Sequence, residues 1–192
     1  GKCEIVATPG GVYASRKNVS IAVAVENSLL GAGMLFKAAG DTMYAMPAHY
    51  FTLAANTITI PEGAITGSVQ VQLTDAFFND PKSIKNTYVI PVKMTGKTNA
   101  DSILPAKSFI LYAVKYVNAW HGNYLRRGKD VVTGSYNQTI IRHKQYVEDD
   151  EVSKLYTRTR SRLDFPVVYK DKNGVNVNCT LVLAFDDAGN CT

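Results

Sequence analysis

The sequence predicts an all-β protein: an N-terminal immunoglobulin-like β-sandwich over residues 1–117, then a partial antiparallel β-meander or barrel-like domain over 118–192. Three observations lead there. Apolar residues recur with a period of two along most of the chain, the signature of strands with one wet face. The apolar runs are short and are bounded by clusters of Gly, Pro, Asn and Asp, the residues that tight reversals need. Six of the seven prolines precede residue 117, and arginine rises after it, which marks a change of domain.

The elements of the first domain follow in order. "CEIVA" (3–7) supplies a short strand. In "VSIAVAVE" (19–26), Val19, Ile21, Val23 and Val25 share a face. "YFTLA" (50–54) and "NTITIP" (56–61) are again short. In "SVQVQLTD" (68–75), Val69, Val71 and Leu73 oppose Ser68, Gln70 and Gln72. "NTYVIPVKM" (86–94) and "SFILYAVKYV" (108–117) are apolar on both faces in parts, which places them centrally in a sheet. Pro91 lacks a ladder donor, so its strand should be an edge there or carry a bulge. The stretch "LLGAGMLFKAAG" (29–40) holds a short helix or an apolar loop, since Gly31, Gly33 and Gly40 oppose a long helix. Roughly seven short strands in this span suggest a sandwich of immunoglobulin type.

After residue 117, strands are expected at "YNQTIIRHK" (136–144), "SKLYTRTRSRLDF" (153–165), "PVVYK" (166–170) and "VNVNCTLVLAF" (175–185). The final turn "DDAGN" (186–190) is followed by only Cys191 and Thr192, so the natural chain is expected to continue. A hairpin about that turn would pair Cys191 with a residue near Phe185 rather than with Cys179, so no Cys179–Cys191 disulfide is expected.

The totals bound the function. At 192 residues, 46% hydrophobic and 19% charged, the chain is an ordinary globular protein rather than a disordered one. No apolar run approaches 18 residues, so no membrane-spanning helix is expected. The start lacks a charged leader and apolar core, which reads as a cytosolic protein or as one whose leader has been removed. The net charge of +5 divides as +3 up to residue 116 and +2 beyond it, and this spread argues against nucleic acid, which favours a basic stripe. Three cysteines without a CxxC pair make neither a disulfide framework nor a zinc site, and no metal or cofactor is expected.

The stretch "VNAWHGNYLRRG" (117–128) holds the single tryptophan. As a ligand site, Trp120 would stack on a sugar ring, and His121, Asn123, Tyr124 and Arg126 would bond its hydroxyls. The competing reading is a domain junction, with Gly122 and Gly128 supplying backbone freedom, Trp120 wedged between domains and the arginines paired across the interface. In "YTRTRSRLD" (156–164), one strand face would carry Tyr156, Arg158, Arg160, Arg162 and Asp164. Such a ladder could grip sulfated or uronic polysaccharide bidentately. It could equally be a solvated face neutralised by the acidic turn "EDDE" (148–151). No catalytic residues are expected. His49, His121 and His143 are scattered, there is no GxSxG elbow, and the clustered acids lie in turns rather than as a facing pair.

The strings "AHYFTLAANTITIPEGAITGSVQVQLTDAFFNDP", "TYVIPVKMTG" and "SFILYAVKYVNAWHGNYLRRG" resemble a family of gram-negative gut-bacterial surface lipoproteins. In that family a domain of unknown function 1735 precedes a domain of unknown function 4361. The resemblance implies an immunoglobulin-like first domain and a calycin-like second one, incomplete at its C-terminus. It implies an exported protein of the outer membrane or cell surface, non-catalytic and tied to polysaccharide utilisation. Its partners would be polysaccharides or cell-surface glycans and other outer-membrane proteins, with no nucleic acid. Membrane attachment would come only through a lipid anchor absent from this sequence, since Cys3 follows Lys2 where a lipobox wants a small residue. An adhesive or structural spacer is the alternative function, and a glycoside hydrolase or its accessory ranks third.

Overall fold

The computed structural model describes residues 1–11, 13–31, 43–134 and 136–192. The chain forms two compact units, Gly1–Tyr116 and Val117–Thr192. Both are built from β-strands, as the period-two pattern requires.

The first unit holds β1 (Lys2–Ala7), β2 (Val19–Val25), β3 (Tyr44–Ala45), β4 (Phe51–Leu53), β5 (Thr57–Ile60), β6 (Gly67–Leu73), β7 (Tyr88–Thr98) and β8 (Phe109–Val114), with a short helix α1 (Asp75–Asn79). One sheet has the order β1-β6-β4. The other runs β5-β2-β7-β8, with β3 beside β7 in parallel. Alternation places Ile5, Val19, Ile21, Ile58, Val69, Val71 and Ile90 inward, all buried in one apolar core between the sheets. Each such side chain, fully buried, stabilises by about 1.5–3 kcal/mol before the entropic cost of ordering it. Phe77 of α1 is fully buried and closes one end of that core, against Tyr50 and Tyr88.

Pro91 does not lie in an edge strand: β8 pairs along one side of β7, and β2 and β3 share the other. The Pro91 carbonyl accepts from the Glu26 N–H on that second side. The missing N–H therefore falls in the seam where β3 has ended at Ala45 and β2 at Val25, so no ladder bond is lost. A register shift does occur nearby, between Ala22 and Val23 of β2. Of the expected helix or loop at 29–40, a 3-10 turn at Asn27–Leu30 covers the start, and residues 32–40 lie outside the described residues.

The second unit holds β9 (Gly122–Arg126), β10 (Lys129–Val132), β11 (Gln138–Ile141), β12 (Glu151–Thr157), β13 (Arg162–Lys170) and β14 (Asn176–Ala184). Its main sheet is the antiparallel meander β14-β13-β12-β9, with β10-β11 a separate hairpin inserted between β9 and β12. Cross-strand pairs fix its faces. Gly122, Tyr124 and Arg126 share one face with Ser153, Leu155, Leu163, Phe165 and Val167. Asn123, Lys154, Tyr156, Asp164 and Arg162 occupy the other. Leu163 and Val167 are the buried hydrophobic residues of the first face. The hairpin about residues 186–190 closes with a Phe185–Cys191 bridge, the pairing its turn residues predict.

The single strand expected at 153–165 is two strands. β12 ends at Thr157 and β13 begins at Arg162, and the chain reverses between them, with the N–H groups of Arg158 and Thr159 donating to the Arg162 carbonyl. No Gly, Pro, Asn or Asp marks this turn. It is held from a distance. Asn118, buried, donates through Nδ2 to the carbonyls of Thr159 and Arg160 at 3.0 and 2.7 Å. Its backbone N–H bonds Thr157 Oγ1 at 3.0 Å, and its Oδ1 accepts from the Trp120 N–H.

Candidate functional site

The reversal at 158–161 decides where the candidate residues lie. The arginines do not form a linear ladder. Arg158 and Arg160 sit in or beside the turn, and Arg162 opens the returning strand. Folding back sets Arg162 and Asp164 alongside Tyr156 and Arg158, so the ladder becomes a patch. Tyr156 lies directly across from Asp164. Arg158 Nη1 bonds Asp164 Oδ1 at 3.0 Å. Lys154 Nζ stands 5.1 Å from the centroid of the Tyr156 ring. His121 meets that ring edge-on at 6.1 Å. Tyr156, 43% exposed, is thus an aromatic platform flanked by His121 and Lys154, with Arg162 on the same face and Arg158 held nearby through Asp164.

The protonation pattern of His121 follows from its partner. The Thr157 N–H donates to His121 Nδ1 at 3.0 Å, so in the neutral ring the proton resides on Nε2. His121 therefore presents a donor beside Tyr156.

Trp120 is elsewhere. It stacks on Phe185 at 4.3 Å and an interplanar angle of 10°, and is half-buried. Phe185 continues the alternation of Leu181 and Leu183, which puts Trp120 on the Leu163 face rather than the Tyr156 face. Tyr124 belongs to that face as well, and its hydroxyl donates to the Trp120 carbonyl at 2.8 Å. The stretch 117–128 thus sends His121 to one side of the sheet, and Trp120 and Tyr124 to the other.

Arg126 is committed to an ion network. Its Nη2 lies 2.7 Å from both Asp130 oxygens, and its guanidinium stands over the Phe165 ring. Arg142 joins the network through Asp130 at 3.0 Å and Glu151 at 2.6 Å. Burial alone would draw the Arg142 pKa down, but the hydrogen bonds it donates to Glu151 and Asp130 outweigh it and raise it above the ordinary guanidinium value. Arg127 Nε approaches Asp150 Oδ2 at 2.7 Å, and the Asp150 side chain is fully buried. These arginines find their acids within the second unit. The run 148–151 is correspondingly more than a solvating turn, because Asp150 and Glu151 tie down arginines. Lys154 is the platform residue the sequence motifs passed over, and Tyr156 entered them only as a member of the arginine face, not as a stacking platform. The signal that could have found them is the pairing of a strand aromatic with a cation two positions away.

In the first unit, Asp80 receives the hydroxyls of Tyr88 and Tyr50. Burial would push Asp80 up, but the Tyr88 and Tyr50 hydroxyls and the Lys82 N–H hold it below its ordinary value. Tyr88 is pushed up by burial and by Asp80. The group fixes α1 against β7. An apolar cleft of about 330 Å³ is lined by Val25, Asn27, Met46, Ala48, Phe51 and Leu53.

Residues 1–101, just over half of the chain, match the family model of an N-terminal domain. The chain belongs to that N-terminal-domain family. Residues 119–192 match domain of unknown function 5627, where the sequence resemblance pointed to domain 4361. A solved structure of a Bacteroides ovatus protein of unknown function is similar over 99% of this chain and 66% of its own, with 41% identity and a TM-score of 0.89. Two more distant likenesses show the fold alone. One is a multidomain protein including domain 1735 from Bacteroides ovatus, with 13% identity, TM-score 0.53, and coverage of 100% of this chain and 61% of that one. The other is an auxiliary nutrient binding protein from Bacteroides thetaiotaomicron, with 15% identity, TM-score 0.50, and coverage of 96% and 59%. The chain thus spans about two thirds of the first relative's length, and less of the others. No curated protein matches the chain. No helix among the described residues is long and apolar enough to cross a membrane.

Proposed function

We propose that the protein is a non-catalytic component of the bacterial cell surface that captures glycans for polysaccharide utilisation. It would be exported and held at the outer membrane. The observation that carries this reading is the Tyr156 platform. An exposed ring on a rigid strand can pack against the apolar C–H face of a sugar, and the surrounding nitrogen donors can bond its oxygens. The distant fold likeness to an auxiliary nutrient binding protein supports the same reading. Aromatic and cationic side chains on an open sheet face suit holding a ligand more than bond cleavage, which needs two carboxylates about 5–10 Å apart across a glycosidic link.

The test is affinity electrophoresis of the whole chain through gels containing a panel of soluble polysaccharides, neutral and acidic. Retardation by at least one polymer, lost in Tyr156→Ala with an unchanged circular dichroism spectrum, is the expected result. Mobility indifferent to every polymer overturns the reading.

A second reading, an adhesive or structural spacer, is favoured by β14. Residues 175–185 carry no charge, and Asn176–Val182 are exposed. Among the described strands, β14 pairs with β13, and on its other edge Ala184 exchanges backbone hydrogen bonds with Thr192, so the stretch before it can join another strand. Concentration-dependent self-association in analytical ultracentrifugation, with no glycan retained, would place the protein in that class.

A further inference from the structure

We infer that the Tyr156 platform selects acidic saccharides, those bearing a carboxylate or a sulfate; this rests on the glycan-capture reading above and specifies its ligand. The argument is a count of donors against acceptors. A neutral sugar offers hydroxyls, which both donate and accept, so a site for it must supply acceptors as well as donors. Around Tyr156 the donors dominate. Lys154 and Arg162 are exposed on the same face, and Arg158 reaches it from the turn. His121 offers an Nε2–H donor, because Nδ1 accepts from the Thr157 N–H. The carboxylate on this patch, Asp164, is already engaged by Arg158 through Nη1.

Three cations against one carboxylate give the patch a local excess of positive charge, and the donors have few acceptors to satisfy them. A ligand group that only accepts hydrogen bonds, and carries a fixed negative charge, complements this set. Carboxylate and sulfate both do so, and guanidinium groups bind either bidentately. The geometry adds a register. Arg158 and Arg162 flank the same turn beside Tyr156, so an anion bridging them leaves the sugar ring over the phenol.

The experiment compares matched polymers with the whole chain at 150 mM salt, where long-range attraction to any basic surface is screened. The probes are polygalacturonate against its carboxyl-reduced form, and dextran sulfate against unsulfated dextran. The wild-type chain should bind at least one anionic polymer at least tenfold more tightly than its neutral counterpart. Tyr156→Ala and Arg162→Gln should each lose about tenfold, while Lys107→Gln, a change to an exposed cation of the first unit, should lose nothing. Equal affinity for charged and neutral polymers, or equal losses in Lys107→Gln and Arg162→Gln, overturns the acidic selectivity and leaves glycan capture standing. Failure to bind any of the four, together with no retention in the wider panel, removes both. Melting temperatures of the variants, expected within a few degrees of wild type, separate lost contacts from lost folding.

Discussion

Replacing Asn118 with alanine should unfasten the second unit at its turn. The Asn118 side chain makes three hydrogen bonds, donating to the Thr159 and Arg160 carbonyls and accepting from the Trp120 N–H. The residue is 2% exposed, so water does not replace these bonds at the asparagine itself. Thr159 and Arg160 are exposed, so their freed carbonyls can be rehydrated cheaply, whereas the Trp120 N–H is less accessible. At about 0.5–1.5 kcal/mol per bond, three bonds span about 1.5–4.5 kcal/mol, and cheap rehydration of the two exposed carbonyls brings the expected loss to about 2–3 kcal/mol. For a unit of this size, 1 kcal/mol moves Tm by about 4–8 °C, so the expected drop is about 8–24 °C. The assay is a thermal melt followed by the fluorescence of Trp120, which as the single tryptophan reports on this unit alone. A double-mutant cycle with Thr157→Val, which removes the acceptor for the Asn118 N–H, should show coupling, since the two residues share one network. A drop below about 2 °C would refute the claim that Asn118 holds the turn.

Other perturbations have outcomes of comparable sharpness. Gly67→Ala places a methyl 2.3 Å from the Thr59 carbonyl oxygen, a backbone atom that cannot rotate aside, so the first unit should lose about 2 kcal/mol or more in urea denaturation. Arg142→Gln leaves Glu151 without Arg142 and Asp130 with Arg126 alone, in a partly buried site, and should cost the second unit about 2 kcal/mol by the same measurement. Asp80 titrates below its ordinary 3.8 when folded, so its stabilisation is complete above that pH and fades as pH falls through the lowered value. Tyr88→Phe removes a hydroxyl that lowers it, and the acid-unfolding midpoint of the first unit should move to higher pH.

Most of the first unit was legible because its signals are local. The alternation in 19–26 and 68–75 specifies both the strands and their buried faces, and β2 and β6 match it. The misses share a cause. The five-residue helix α1 is too short for a periodic pattern, and it exists because Phe77 finds a core made by distant strands. β9 carries two glycine neighbours and no alternation, so "GNYLRRG" reads as a linker; its register comes from β12, some thirty residues on. The turn at 158–161 has no Gly, Pro, Asn or Asp, and Asn118 stabilises it across about forty positions. The candidate site fared likewise. Its residue types were visible in two motifs, but their division between the faces of the sheet depends on the reversal, which no local pattern announces.

Because the cations of the Tyr156 patch sit on the two legs of one hairpin, their mutual spacing is a property of loop length. Adding or deleting a residue between Thr157 and Arg162 would slide one leg past the other and redraw the charge map without altering any strand residue. Relatives built on the same scaffold could therefore diversify what they recognise through small insertions at a single bend, while the barrel-like framework beneath stays constant.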